Sequence, residues 1–471
     1  MLSTHISSQI YTIFAFEPTK GQKKIIEKLA EFISQGDSDT IFMINGYAGT
    51  GKTSVISALV RALSSFKIKT VLMAPTGRAA KVMAIASGAN AYTIHKKIYR
   101  QKSLTSDRMH FDLNFNKDHD AVFIVDEASM LSNFGGDSSI FGSGHLLDDL
   151  ITFVRSGRNC KLIIVGDNAQ LPPVGLEHSP ALDAHDMSVY GRPELSTLDE
   201  VMRQTEDSGI LFNATLVRCM IEEQIIDIPL FRTDFPDVKS LNGGEFLEEI
   251  AQAYDRYGME NVIVITRSNK RANQFNEGIR RHILFREEEV SVGDMLMIVK
   301  NNYHFTEKNK DIDLDFIANG DIACLERIRR FDEQFGFRFA DVVLSFPDYD
   351  GLELDCRIVL DTLQSESPSL TQEQNSALWW AVAEDYADIS VKSKRYKAIR
   401  EDSYYNAMQV KFSYAVTCHK AQGGQWNCVF IDRMLFGDEE MTLDRMRWLY
   451  TALTRATERV YFVNFDERFF E

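Results

Sequence analysis

Two doubly wound α/β domains, the second interrupted by a long insertion, are the fold this sequence predicts. Three observations carry that expectation. Unbroken apolar runs of strand length stand at 40–45, 70–74, 121–126 and 161–166, with helical stretches between them. The same alternation restarts at 261–266, 428–432 and 460–465. After the first strand and helix of the restart, and before its remaining strands, lie about a hundred residues of a different character. Apolar runs that end at polar, glycine-rich words are the mark of buried parallel strands carrying functional loops at their carboxyl ends.

In chain order, helices are predicted at 52–65 and 78–86 in the first half, and at 270–282 and 443–456 in the second. Residues 331–343 and 352–360 have the look of β-hairpins, and 371–408 is polar, aromatic-rich and helical in pattern. The expected division is 1–95 with 120–202 as the first domain and 96–119 as a small hairpin inserted into it. The second domain takes 203–300 with 413–471, around an insertion at 301–412. Residues 133–144, rich in Gly and Ser, are expected to form a mobile loop.

Length supports this multi-domain reading, since 471 residues exceed what one core sustains. At 44% apolar and 25% charged residues the composition is that of a globular chain. No apolar run approaches the ~20 residues that span a bilayer, so no membrane association is expected. The six cysteines are scattered, which argues against a zinc or iron–sulfur site. With no secretion leader read in the first residues, free thiols in a reducing cytoplasm are the expectation. The net charge of −16 runs against the basic footprint usual for nucleic-acid binders. A narrow basic channel on an acidic body remains compatible with it.

The words at the strand ends carry the chemistry. Gly46-x4-Gly51-Lys52-Thr53 follows a strand and opens a helix, the context of a phosphate-binding loop. Gly46, Gly49 and Gly51 let backbone N–H groups approach phosphates, Lys52 reaches the β- and γ-phosphates, and Thr53 ligates Mg²⁺. Asp126-Glu127 ends the run AVFIV, where a carboxylate must be solvated, paired or bound to metal. Asp126 is expected on Mg²⁺ and Glu127 on the attacking water. Gln170 closes the next strand in GDNAQLPPVG and suits γ-phosphate sensing, although a polar loop stiffened by Pro172-Pro173 is an equal reading. Arg203 in VMRQ and Arg455 in YTALTRA are candidate arginine fingers.

With TKGQ (19–22), GYAGTGKT (46–53), APTGRAAK (74–81), VDEAS (125–129), GDNAQLPPVG (166–175), VMRQ (201–204), ANGD (318–321), TCHKAQGG (417–424) and YTALTRA (450–456) in this order, the chain resembles the superfamily 1 helicases of the RecD, Dda and Pif-like group, over nearly its whole length. The resemblance implies two RecA-like P-loop domains, with a pin-like insertion in the first and a small β-barrel plus helical extension in the second. It implies ATP and Mg²⁺ as cofactors, and single-stranded DNA with its junctions to duplex as the substrate, tracked 5′→3′ by a monomer; the alternative readings are an RNA-directed or dual-specificity helicase of the same superfamily and a regulatory nucleic-acid-dependent P-loop ATPase that does not unwind. By position, Gln22 would read the adenine edge and Gly423 would lie near the ATP cleft. Pro75, Thr76 and His95 on one lobe, with Thr417, His419 and Lys420 on the other, would touch the strand. His95 and His419 also fit satisfied loop or core histidines. Phe111 and Phe115 sit where the group carries its strand-splitting pin; two aromatics four apart read equally as a base-stacking wedge or as local hairpin packing. Trp379 and Trp380 are expected to pack. The acidic balance, the loop at 133–144 and Gln425, where many relatives carry an acid, depart from the group's pattern.

Overall fold

The computed structural model describes residues 2–14, 16–35, 37–101, 111–133, 141–200, 208–302, 304–307, 316–433 and 439–471. Its first lobe is built on a six-stranded sheet whose spatial order is Ala91–Thr93, Thr70–Ala74, Val122–Val125, Lys161–Gly166, Thr40–Gly46 and Arg192–Leu198. Every neighbouring pair is parallel. Four of these strands are the apolar runs of the sequence; Val122–Val125 and Lys161–Gly166 are buried throughout, as both faces of the sheet are covered. One face packs under Lys52–Ser65 and Lys20–Gln35, the other under Leu146–Ser156. The edge strand Arg192–Leu198 was not expected, because RPELSTL lacks an apolar run and is only partly buried.

The second lobe repeats the design with five parallel strands, ordered Ala415–Thr417, Val262–Thr266, Trp426–Asp432, Ala456–Val463 and Val238–Leu241. The helix expected over 443–456 stops at Leu453, and Ala456 already opens the next strand. Between the lobe's two halves stands a closed five-stranded barrel of Met295–Ile298, Ile322–Gln334, Phe337–Phe346, Leu352–Val359 and Met408–Phe412. Its first strand precedes residue 301, where the insertion was expected to begin, since MLMI pairs with both Ile322–Gln334 and Met408–Phe412. Closure leaves no unpaired sheet edge.

Residues 371–408 contain two helices, Gln372–Asp385 and Lys392–Arg400. The first starts at a capping box in which Thr371 and Gln374 satisfy each other's backbone N–H groups. They sit on the barrel through a small core of their own, including Phe337, Phe339, Leu378 and Ile399. Trp379 packs edge-on to Tyr405 at 5.0 Å, as expected of a packing residue. Trp380 differs: it is 69% exposed, because the next position on a helix turns away from that core.

Residues 134–140 lie outside the described residues, but the loop's flanks are held. Asn133 bonds Asp148, Tyr190 and two backbone N–H groups, and Phe141 is buried. Among the described residues no helix is long and apolar enough to cross a membrane.

Candidate functional site

A cleft of about 450 Å³ opens where the two lobes meet, a volume suited to a nucleotide. Lys52, Thr53, Asp126, Glu127 and Gln170 line it from the first lobe, and Gln425, Thr454 and Arg455 from the second. The helix Lys52–Ser65 is capped by Gly51 in left-handed backbone (φ 81°) rather than by a side chain. Its first N–H groups thus have no side-chain acceptor, and they sit at the positive end of the helix dipole. Lys52 lies back along the loop: its Nζ bonds the Gly46 carbonyl and stands 3.7 Å from Asp167 Oδ2. A Cβ at residue 46 would fall 2.5 Å from Lys52 Cγ, so this path of the lysine requires glycine there.

Asp126 and Glu127 follow the strand Val122–Val125, and Glu127 adopts left-handed backbone at φ 53°. A non-glycine residue held there stores strain of the sort found at reactive centres. Burial, with the Glu127 charge adding to it, pushes the Asp126 carboxyl up to about 6. A cation brought beside it would reverse that shift. Gln170 Oε1 is buried with no hydrogen-bond partner. An orphaned acceptor and an under-compensated carboxylate on one cleft fit a triphosphate with its divalent cation.

Arg455 reaches this wall from the second lobe. Its side chain is buried and bonds Thr451 O at 3.1 Å, Gly424 O at 3.2 Å and Thr454 Oγ1 at 3.1 Å. Its Nη1 stands 3.7 Å from Glu127 Oε1, so an arginine of one lobe faces the acid of the other. Arg203 lies outside the described residues.

Two residues expected at or near the nucleotide, Gln22 and Gly423, make further contacts here. Gln22 is fully buried and its amide is committed to backbone, donating to Thr50 O at 2.8 Å and accepting from Thr19 N at 3.0 Å. It braces the loop from behind instead of lining the cleft. Gly423 (φ 73°) stands against the first lobe, where a Cβ would come 3.0 Å from that of Ala79. It allows close approach of the lobes, which Arg78 reinforces by stacking on Trp426 at 4.0 Å and bonding Gln425 O at 2.9 Å.

The expected strand contacts are more scattered. Thr76 caps the helix Gly77–Ser87, accepting from Ala79 N, with Pro75 just before it. On the second lobe, Thr417 precedes the short helix Cys418–Ala421, in which His419 is exposed and Lys420 bonds Asn319 of the barrel's entry turn. The barrel meets the first lobe beside Thr76: Lys81 bonds Pro347 O at 2.7 Å and pairs with Asp348 at 3.2 Å. A second cleft, of about 540 Å³, runs along this contact between Lys81, Tyr92 and Lys96 on one wall and Asp348 and Asp350 on the other. His95 packs against Tyr99 and Phe141, and burial pushes it down to about 4, so its ring is neutral near pH 7. In the hairpin of Tyr99–Gln101 and Phe111–Leu113, Phe111 is 6% exposed. Phe115 is 68% exposed, with the Arg100 guanidinium 4.6 Å from its ring centre. The two readings of this pair therefore divide between its members, Phe111 being hairpin packing and Phe115 facing solvent.

The sequence reading assigned no role to Asp167 or Tyr450. Asp167 ends the buried strand Lys161–Gly166 as Asp126 ends its own, which was a signal available from the sequence. Tyr450 gave none beyond its place in a motif.

Comparison with known proteins follows the same division. Residues 17–218 match the AAA domain family, and residues 412–463 match the UvrD-like helicase C-terminal domain; together they take in more than half of the chain. These matches are consistent with a superfamily 1 helicase similar to RecD and Dda. The helicase is 23% identical to the uncharacterized protein R530 of Acanthamoeba polyphaga mimivirus, over 94% of this chain and 99% of that one. It is 29% identical to the ATP-dependent RecD2 DNA helicase of Deinococcus radiodurans, over 33% of this chain and 19% of that one. To the ATP-dependent DNA helicase dda of Enterobacteria phage T4 it is 31% identical, over 33% of each. A solved structure of Pif1 helicase from Bacteroides with ADP-AlF3 and ssDNA aligns at a TM-score of 0.48 and 15% identity, over 95% of this chain and 92% of that one. The matches support an ATP-dependent helicase, a hydrolase.

Proposed function

We propose that this helicase binds ATP with Mg²⁺ in the inter-lobe cleft and uses its hydrolysis to move 5′→3′ along single-stranded DNA, unwinding duplex at the junction. The observation that carries this reading is the Arg455–Glu127 approach, 3.7 Å across the seam between lobes. A simple nucleotide switch needs no residue from a second domain at its hydrolytic acid. In a motor, completing the site on lobe closure ties each turnover to a displacement.

Thr53 and Asp126 would hold the cation, which supplies charge neutralisation at the phosphates. Lys52 leaves the Gly46 carbonyl for the phosphate oxygens, and the uncapped N–H groups of the helix Lys52–Ser65 bind them. Glu127 accepts the proton of the attacking water, Gln170 orients that water through its free Oε1, and Arg455 stabilises the charge that builds on the γ-phosphoryl group. Strand contacts divide between Pro75 and Thr76 on one lobe and Thr417, His419 and Lys420 on the other, so that opening and closing changes their spacing. The match to ATP-dependent DNA helicases supports DNA as the substrate.

Unwinding of duplexes bearing a 5′ or a 3′ single-stranded tail, in DNA and in RNA, tests the proposal. ATP-dependent strand separation from the 5′-tailed DNA is expected. Separation only from 3′ tails, or only of RNA, would overturn the polarity or the substrate, and ATP turnover with no separation of any duplex would overturn unwinding.

A further inference from the structure

The helix Leu443–Leu453 of the second lobe delivers Tyr450 into the first. The phenol is buried, donates to Asp167 Oδ2 at 2.7 Å and accepts from Ala48 N of the phosphate-binding loop at 2.9 Å. Asp167 is 1% exposed, and the same Oδ2 is the one 3.7 Å from Lys52 Nζ. Its other oxygen accepts from Ala169 N at 3.0 Å. Adjacent bonds make this a stitched seam: Thr451 Oγ1 accepts from Leu171 N at 2.9 Å, and Gln422 Nε2 donates to Leu171 O at 2.8 Å. A side chain of one lobe thus touches both the loop and the counter-charge of the lysine that must grip the nucleotide.

We propose that Tyr450 is a positioning residue that sets how readily Lys52 is released to ATP, by sharing Asp167 with it across the lobe boundary. This rests on the cleft being the ATP site. A buried carboxylate that loses its ammonium partner is costly unless other donors satisfy it. The Tyr450 hydroxyl is the donor that remains on Asp167 Oδ2 when Lys52 departs. Lobe movement that withdraws Tyr450 leaves Lys52 as the partner of that oxygen and holds the lysine away from the phosphates. Lobe approach releases it. The helix that carries Tyr450 leads within two residues to Arg455, so one element reports lobe position to both the lysine and the finger.

The test is steady-state ATP hydrolysis on saturating single-stranded DNA by the full chain and its Tyr450→Phe, Asp167→Asn and double variants. Removing the hydroxyl should raise the KM for ATP about ten-fold, the size of one hydrogen bond to a charged group. The kcat should change by less than about two-fold, the pattern of lost binding rather than lost transition-state contact. Asp167→Asn, which keeps an acceptor but removes the charge holding Lys52, should lower KM, and Tyr450→Phe added to it should have a smaller effect than it has alone, the part that remains coming from the lost Ala48 N contact. An unchanged KM in Tyr450→Phe, a fall in kcat alone, or additive effects in the double variant would overturn the proposal. If Tyr450→Phe does not fold, Asp167→Asn decides alone, since a KM that stays the same or rises overturns it. Absence of ATP hydrolysis by the unaltered protein would instead overturn the reading of the cleft.

Discussion

Phe111 stacks on Phe141, ring centres 5.0 Å apart and planes at 27°. Phe141 also meets His95 and Tyr99, so the hairpin is tied through Phe111 to an aromatic cluster of the first lobe. That arrangement separates the two phenylalanines by environment, Phe111 being buried and Phe115 exposed. Phe111→Ala should cost about 3 kcal/mol or more of stability, as for other buried phenylalanines, read by denaturant unfolding. Phe115→Ala should leave the unfolding midpoint in place and slow strand separation, with translocation on single strands unchanged. Equal unwinding rates for Phe115→Ala and the unaltered protein would remove the wedge.

Lys52 pairs with Asp167 in a largely buried setting, and its Nζ has the Gly46 carbonyl as its other partner. Lys52→Ala should lower ATP turnover by at least ~10²-fold, while affinity for single-stranded DNA, measured by fluorescence anisotropy, stays within about three-fold. Retained turnover would show that phosphate binding lies elsewhere.

For Arg455→Ala the expected loss is in kcat, on the order of 10³-fold, because the contact proposed for it would matter most as charge builds on the γ-phosphoryl group. Binding of a non-hydrolysable ATP analogue should change little. A large loss of nucleotide affinity with kcat preserved would assign the arginine to ground-state binding.

Asp321, in the turn that enters the barrel's long strand, has one oxygen bonded by Ala318 N and Tyr349 and the other buried without a partner. Burial pushes its carboxyl from 3.8 up to about 7, the Asp348 charge adding to it. A carboxyl raised on folding contributes stability that is complete below its unfolded value, about pH 3.8, and lost as pH rises through about 7. Asp321→Asn removes this dependence. Its melting temperature relative to the unaltered protein should therefore be higher at pH 8 than at pH 6, checked by thermal scans at both. The same difference at both pH values would place the titration elsewhere.

Much of this architecture was legible before any coordinates. The runs at 40–45, 70–74, 121–126 and 161–166 became neighbouring strands because an apolar run bounded by functional words has few other places to go in an α/β chain. Lys52, Asp126, Glu127 and Arg455 were readable for the same reason, each being a charged group at the end of a buried element. What escaped was set by contacts distant in sequence. The Gln22 amide is occupied by Thr19 and Thr50, and the Tyr450 hydroxyl by residues about four hundred and about three hundred positions away. No periodicity encodes such pairings. The edge strand Arg192–Leu198 escaped because pairing on one side only asks for no continuous apolar pattern.

The hydrogen bonds around Arg455 have one more consequence. Thr451, Gly424 and Thr454 clamp its guanidinium, and its own carbonyl accepts from Trp426 N at the start of a central strand. The group has no slack relative to the domain that carries it. Its distance from Glu127 and the spacing of the two halves then change together, so under the proposed function a change of footing on the strand would reach the chemistry directly.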